Sequence, residues 1–119
     1  MAKNLEVSVW LDFYGELLTE KQRLLVGYYY NDDLSLSEIA ENEGITRQGV
    51  RDAIKRAETQ LAQMEEKLGF AARYHKSEQL AAQIRAAAKE IAQLNGRLSG
   101  SREIHQRAEK IYDWAEEML

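Results

Sequence analysis

LSEIAENEGITRQGVRDAIK, residues 36–55, is the stretch that decides the fold. A helix-turn-helix needs a small residue where its second helix crosses the first, and Ala40 supplies one. It needs a tight turn next, and Gly44 stands four residues further on, with no Cβ to oppose the left-handed backbone that ends a helix. Apolar residues must lock the two helices together, and Ile39, Ile45, Val50 and Ile54 are spaced to do so. Ser35 and Glu38 form a capping box, with Leu34 and Ile39 as its hydrophobic staple. Thr46 caps the second helix, and Ile45 with Val50 repeats the staple.

The second helix then shows polar side chains near its N-terminus, where such a helix enters the DNA major groove. Its outward positions are Arg47, Gln48, Arg51, Asp52 and Lys55. Arg and Gln pair bidentately with guanine and adenine edges. Thr46 and the free N–H groups beside it suit a phosphate at the positive end of the helix dipole. Lys55 and Arg56 are placed to reach phosphates further along. Between residues 36 and 56, four bases face four acids. That balance leaves two readings open, a DNA-reading helix and a solvated or protein-facing one, because tight DNA binders carry a local basic excess.

Outward from this motif the chain reads as all-α. The 119 residues contain no proline and no cysteine. The first absence favours long helices, and the second excludes disulfides, zinc-finger chemistry and cysteine nucleophiles. A helix is expected over residues 5–18, with Val9, Trp10, Phe13, Tyr14, Leu17 and Leu18 on its buried face and Gly15 weakening it. A second helix starts at Thr19, capped with Gln22, buries Leu24, Leu25, Tyr28 and Tyr29, and ends at Asn31-Asp32-Asp33. Val50, Ile54, Ala57, Leu61, Met64 and Leu68 form a heptad seam before the stop at Gly69. Leu80, Ile84, Ala87, Ile91, Leu94 and Leu98 form a second seam. A polar turn over residues 95–101 precedes a last helix that buries Ile104, Ala108, Ile111, Tyr112, Ala115 and Leu119. The organisation expected is a helix-turn-helix domain over residues 1–68 and a C-terminal helical extension over 69–119. The two seams pack on each other or on a second subunit.

Chemistry-bearing constellations are scarce. His75 and His105 are far apart in sequence and suggest surface residues, so no metal or other cofactor is expected. Glu65-Glu66 and Glu116-Glu117 are neighbours that diverge by about 100° on a helix, which suits a solvated face. Packing is the default for Tyr28, Tyr29 and Tyr30, and core or dimer contact for Trp10 and Phe13, while Trp114 is ambiguous. Ser99-Gly100-Ser101 reads as a turn and not a nucleophile elbow, since no strand precedes it. No phosphate loop or nucleotide fingerprint occurs, so the expectation is a binding protein and not an enzyme. No signal peptide or membrane-spanning stretch is visible, which points to the cytoplasm. The net charge of −4 argues against a sequence-blind nucleic-acid glue.

The run LTEKQRLLVGYYYNDDLSLSEIAENEGITRQGVRDAIKRAETQLAQMEEKLG, residues 18–69, is similar to the sigma-factor domain that reads the −35 promoter element. More closely, the chain resembles the YlxM-like family of small bacterial helix-turn-helix proteins. The Trp10-to-Tyr14 opening, the Leu-Thr-Glu-Lys-Gln stretch, the Thr-Arg-Gln start of the fourth helix and the Lys55-to-Glu58 run carry that resemblance over most of residues 5–98. It implies a DNA-binding regulator without catalytic residues. It also implies a link to the signal recognition particle, whose GTPase gene often lies beside the family's gene. Gly49 departs from the alanine expected in the first turn of the recognition helix, and the resemblance does not extend to the tail after Ser99.

The partners expected are therefore DNA and a second copy of the chain, with no membrane. The rival reading is a protein-interaction module for the particle or its GTPase. A third version binds the particle's RNA through the basic stretch from Arg73 to Arg97, which has five bases and two acids over residues 69–97.

Overall fold

The structure, a computed structural model, describes residues 1–98 and 100–119. The described residues form six α-helices and no strand: α1 (Leu5–Tyr14), α2 (Glu20–Tyr30), α3 (Leu36–Glu43), α4 (Arg47–Leu68), α5 (Phe70–Arg97) and α6 (Arg102–Met118). The chain divides into two compact units, Met1–Ala71 and Ala72–Leu119.

Local chemistry sets most helix ends. Asn4, Thr19, Ser35, Thr46 and Ser101 each accept a backbone N–H from their own helix's first turn, satisfying a donor that has no intrahelical partner. Both expected capping boxes are present, Thr19 with Gln22 and Ser35 with Glu38. Gly44 ends α3 at φ +66°, and the Gly44 and Ile45 N–H groups both donate to the Ala40 carbonyl. Gly69 ends α4 in the same left-handed conformation. After α2, Asp33 adopts φ +54°, which an aspartate tolerates, and its carboxylate pairs with Lys3.

In the first unit the core is built around α4, which packs against α1, α2 and α3. Val50, Ile54, Ala57 and Leu61 are completely buried. That stripe therefore serves the unit's own core, and not a helix hairpin or second subunit as the heptad spacing suggested. Met64 is only partly buried and Leu68 is exposed.

The first helix differs from expectation in length and in face. The α-helix stops at Tyr14 and tightens into a 3-10 turn over Gly15–Leu17. Its core residues are Val7, Leu11, Tyr14 and Leu18, whereas Val9, Phe13 and Leu17 are exposed. Trp10 is partly buried against the core. The glycine has a packing reason: a Cβ on Gly15 would lie 3.2 Å from the Leu11 side chain. In α2 the buried set is Leu25, Val26 and Tyr29, with Leu24 exposed and Tyr28 only partly covered.

The second unit is a helical hairpin closed by alanines. Ala81, Ala88, Ala108 and Ala115 are its buried residues. Arg85 of α5 pairs with Glu116 of α6 at 3.1 Å, so the two helices run antiparallel. The turn is shorter than expected, since α5 continues through Asn95 and Gly96 to Arg97. The Asn95 side chain donates to the Ser101 carbonyl and accepts the Ser101 N–H. Gly100 takes φ +65°, and Ser99, central to the expected turn, lies outside the described residues. The second heptad seam is not buried: Leu80, Ile84, Ala87, Ile91, Leu94 and Leu98 are all exposed. Ile104 of α6 and Leu119 just beyond it are exposed, and Ile111 and Tyr112 are only partly covered, against the expectation that all four are buried.

Candidate nucleic-acid interface

The start of α4 is held rigidly from behind. Val50 and Ile54 fix one side of its first two turns in the core, and the left-handed Gly44 turns the chain from α3 into α4. Side chains on the far side then have one direction available, outward. Thr46, Arg47, Gln48, Arg51, Asp52, Lys55 and Arg56 are all exposed. Arg47, Arg51 and Lys55 follow at four-residue intervals along one line of the helix. Among the described residues none of the four cations, Arg47, Arg51, Lys55 and Arg56, enters an ion pair.

Two details lay beyond residue spacing. Gln48 donates to the Asp52 carboxylate at 2.9 Å, one turn away. This orients the Gln48 amide and places the acid's charge beside it. The second detail concerns Gly49. Thr46 Oγ1 accepts the Gly49 N–H at 2.9 Å, and a Cβ at position 49 would stand 3.0 Å from that same oxygen. Glycine avoids this tight contact, although Gln22 and Glu38 hold the same position in the α2 and α3 caps.

The electrostatics of this helix end differ from those of most other helices. α1, α2, α3 and α6 each carry an acid in the first turn, namely Glu6, Glu20, Glu38 and Glu103, whereas α4 and α5 carry none, and α4 begins with Arg47. The positive end of its dipole is therefore not locally neutralised.

Residue spacing misjudged other groups. Glu65 is not on a solvated face. It is partly buried, accepts a hydrogen bond from the Tyr14 hydroxyl, and accepts the Ala71 N–H at 3.1 Å. His105 is on the surface, as expected, with the Glu109 carboxylate one turn away at 3.7 Å. Even so, no cluster of three metal-ligating side chains occurs among the described residues. Tyr30 is tethered, its hydroxyl donating to Glu58 and accepting the Asn4 N–H. Tyr29 lies edge-on to it in the core. Trp114 is exposed.

A family described as "Putative helix-turn-helix protein, YlxM / p13 like" matches residues 1–99. The chain belongs to this family. Relatives within it include a UPF0122 protein of Listeria monocytogenes serotype 4b, 46% identical over 84 residues, covering 71% of this chain and 76% of the relative. A UPF0122 protein of Halalkalibacterium halodurans is 46% identical over 85 residues, 71% of this chain and 78% of the relative. One from Clostridium kluyveri is 53% identical over 70 residues, 59% of this chain and 63% of the relative. The YlxM / p13-like match thus includes the whole helix-turn-helix and α5, while α6 lies beyond it. No helix among the described residues is long and apolar enough to cross a membrane.

Proposed function

We propose that this YlxM / p13-like protein is a sequence-specific, cytoplasmic DNA-binding regulator and not an enzyme. It acts as a homodimer whose two α4 N-termini enter successive major grooves. One observation carries the reading. The first turns of α4 are locked into the core by Val50 and Ile54 while Arg47, Gln48, Arg51 and Lys55 are exposed on the opposite side. In this arrangement Arg51 and Gln48 read base edges, and Arg47, Lys55 and Arg56 hold phosphates. Thr46 sits at the helix end that faces the DNA backbone. Asp52 orients Gln48 and disfavours phosphates approaching from its own side.

The test is selection of bound sequences from random DNA by the purified chain, followed by binding measurements at several salt concentrations. Enrichment of paired half-sites about 34 Å apart is expected. Failure to enrich any sequence would end the reading.

A second reading has its own support. The whole chain carries a net charge of −4, and Glu38 and Glu41 are exposed on α3. Under it the same surface binds a component of the signal recognition particle. Recovery of the particle with the chain, together with no salt-dependent DNA binding, would favour it. If RNA is the tether, through Arg73 to Arg97, nuclease treatment abolishes that recovery.

A further inference from the structure

The apolar stripe of α5 is one half of a larger face. The hairpin of α5 and α6 has two flanks, and its buried alanines divide them. On one flank lie Lys89 and Ala92 of α5 with His105 and Tyr112 of α6, which line a shared cleft beside Ala88 and Ala108. At about 100° per residue, side chains that rotate away from the alanines in the opposite sense to Lys89, Ala92, His105 and Tyr112 lie on the other flank. There α5 places Ile84, Ile91 and Leu94, and α6 places Ile104, Trp114 and Met118. All six are at least four-tenths exposed, Trp114 most of all at 61%.

We infer that this flank is a self-association surface, on which a second copy of the chain seats its own α5–α6 hairpin to form a four-helix bundle. Three features select this occupant. The α5 stripe keeps heptad spacing, with Leu80, Ile84, Ala87, Ile91, Leu94 and Leu98 at alternating intervals of four and three. Such spacing matches the knobs of another helix, not a flat surface or a small ligand. The extent also fits. Together with Leu80 and Leu98, the six side chains leave on the order of 800 Å² uncovered, about what each partner contributes to a standard specific interface and more than a typical monomer exposes in one patch. Finally, the rim carries both signs, with Glu90 and Arg97 on α5 and Glu103 and Lys110 on α6, while Arg107 stands within the α6 stripe one heptad before Trp114. A partner of uniform charge meets like charges on such a rim. A two-fold copy of the same mixed rim can set acids against bases.

The pairing deepens the homodimer reading above by naming its surface, and it is tested without DNA so that the two can fail separately. Sedimentation equilibrium of the full chain at about 10–100 µM should give twice the 13.7 kDa chain mass. Ile84→Ala with Ile91→Ala retains helix-forming residues and removes no buried side chain, and should weaken the dimer at least about tenfold. Leu17→Glu alters an exposed apolar residue of the first unit and should leave the mass unchanged. With Trp10→Phe, Trp114 is the remaining tryptophan of the two, and its emission should shift to the blue as concentration rises. A monomer at all concentrations overturns the inference. So does a dimer that survives the α5 double substitution, or one that dissociates only with Leu17→Glu.

Discussion

Tyr14 and Glu65, 51 residues apart in sequence, share a hydrogen bond that closes the first turn of α5. The Tyr14 hydroxyl donates to the Glu65 carboxylate and accepts the Phe70 N–H at 3.1 Å. The same carboxylate oxygen accepts the Ala71 N–H. Two of the donors that a helix start leaves unpaired are thus satisfied from a distance. Gly69 makes this possible by turning the chain left-handed between α4 and α5. The Phe70 ring completes the joint by stacking on the Tyr14 ring at 6.3 Å.

Removing this hydroxyl should loosen the joint without emptying the core. Tyr14→Phe keeps the ring, which is only 1% exposed, but removes the acceptor of the Phe70 N–H and one of the donors to Glu65. The expected loss in melting temperature is about 5 °C, because an unmade hydrogen bond in a covered site costs more than an exposed one. Glu65→Gln retains an acceptor and should lose less. Thermal melts followed by circular dichroism measure both, and equal melting of Tyr14→Phe and the parent chain would dismiss the joint.

Alkaline pH should weaken the fold through the tyrosines. Burial, and next the Glu58 carboxylate, push Tyr30 up to about 12, although its bond to the Asn4 N–H acts the other way. Tyr14 is raised as well, first by burial and then by its bond to Glu65. The unfolded chain ionises its tyrosines near pH 10, so above that pH it binds fewer protons than the folded chain. Stability is therefore complete below about pH 10 and falls as pH rises towards 12. Urea midpoints measured at about pH 9 and 11 should show the decline. Tyr30→Phe should make it shallower.

Gly44→Ala should cost about 1–2 kcal/mol for a purely backbone reason. Nothing lies within 4 Å of the Cβ it would add, yet φ is +66°. Gly44→Asn should recover most of that loss, since asparagine tolerates the left-handed region. Urea denaturation separates the two variants. Equal stability of the alanine and asparagine forms would show that space, not φ, governs the turn.

On the selected DNA site, Arg51→Ala should weaken binding by about 1–3 kcal/mol and relax preference at one base position. Lys55→Ala should weaken all sequences alike and lower the salt slope by about one. Fluorescence anisotropy across a salt series distinguishes the two effects. If Arg51→Ala lowers affinity uniformly, its contact is to phosphate and not to a base.

Helix ends and the motif were legible in the chain because they are local. A capping box joins residues three apart, so Thr19 with Gln22 and Ser35 with Glu38 can be read directly. Gly44 and Gly69 announce left-handed turns in the same way, and Thr46, Arg47, Gln48, Arg51, Asp52, Lys55 and Arg56 are exposed, as their spacing against Val50 and Ile54 suggested. Which faces are covered was a tertiary decision. α1 is apolar nearly all the way round, so its periodicity did not choose between Val9-Phe13-Leu17 and the set that is buried, Val7-Leu11-Tyr14-Leu18. Two similar heptad seams met opposite fates, one enclosed by three helices and one left open. Spacing reports that a stripe can pack, but burial depends on what the rest of the chain brings alongside. Glu65 illustrates the same limit: its partner Tyr14 arrives only when α1 folds back against α4.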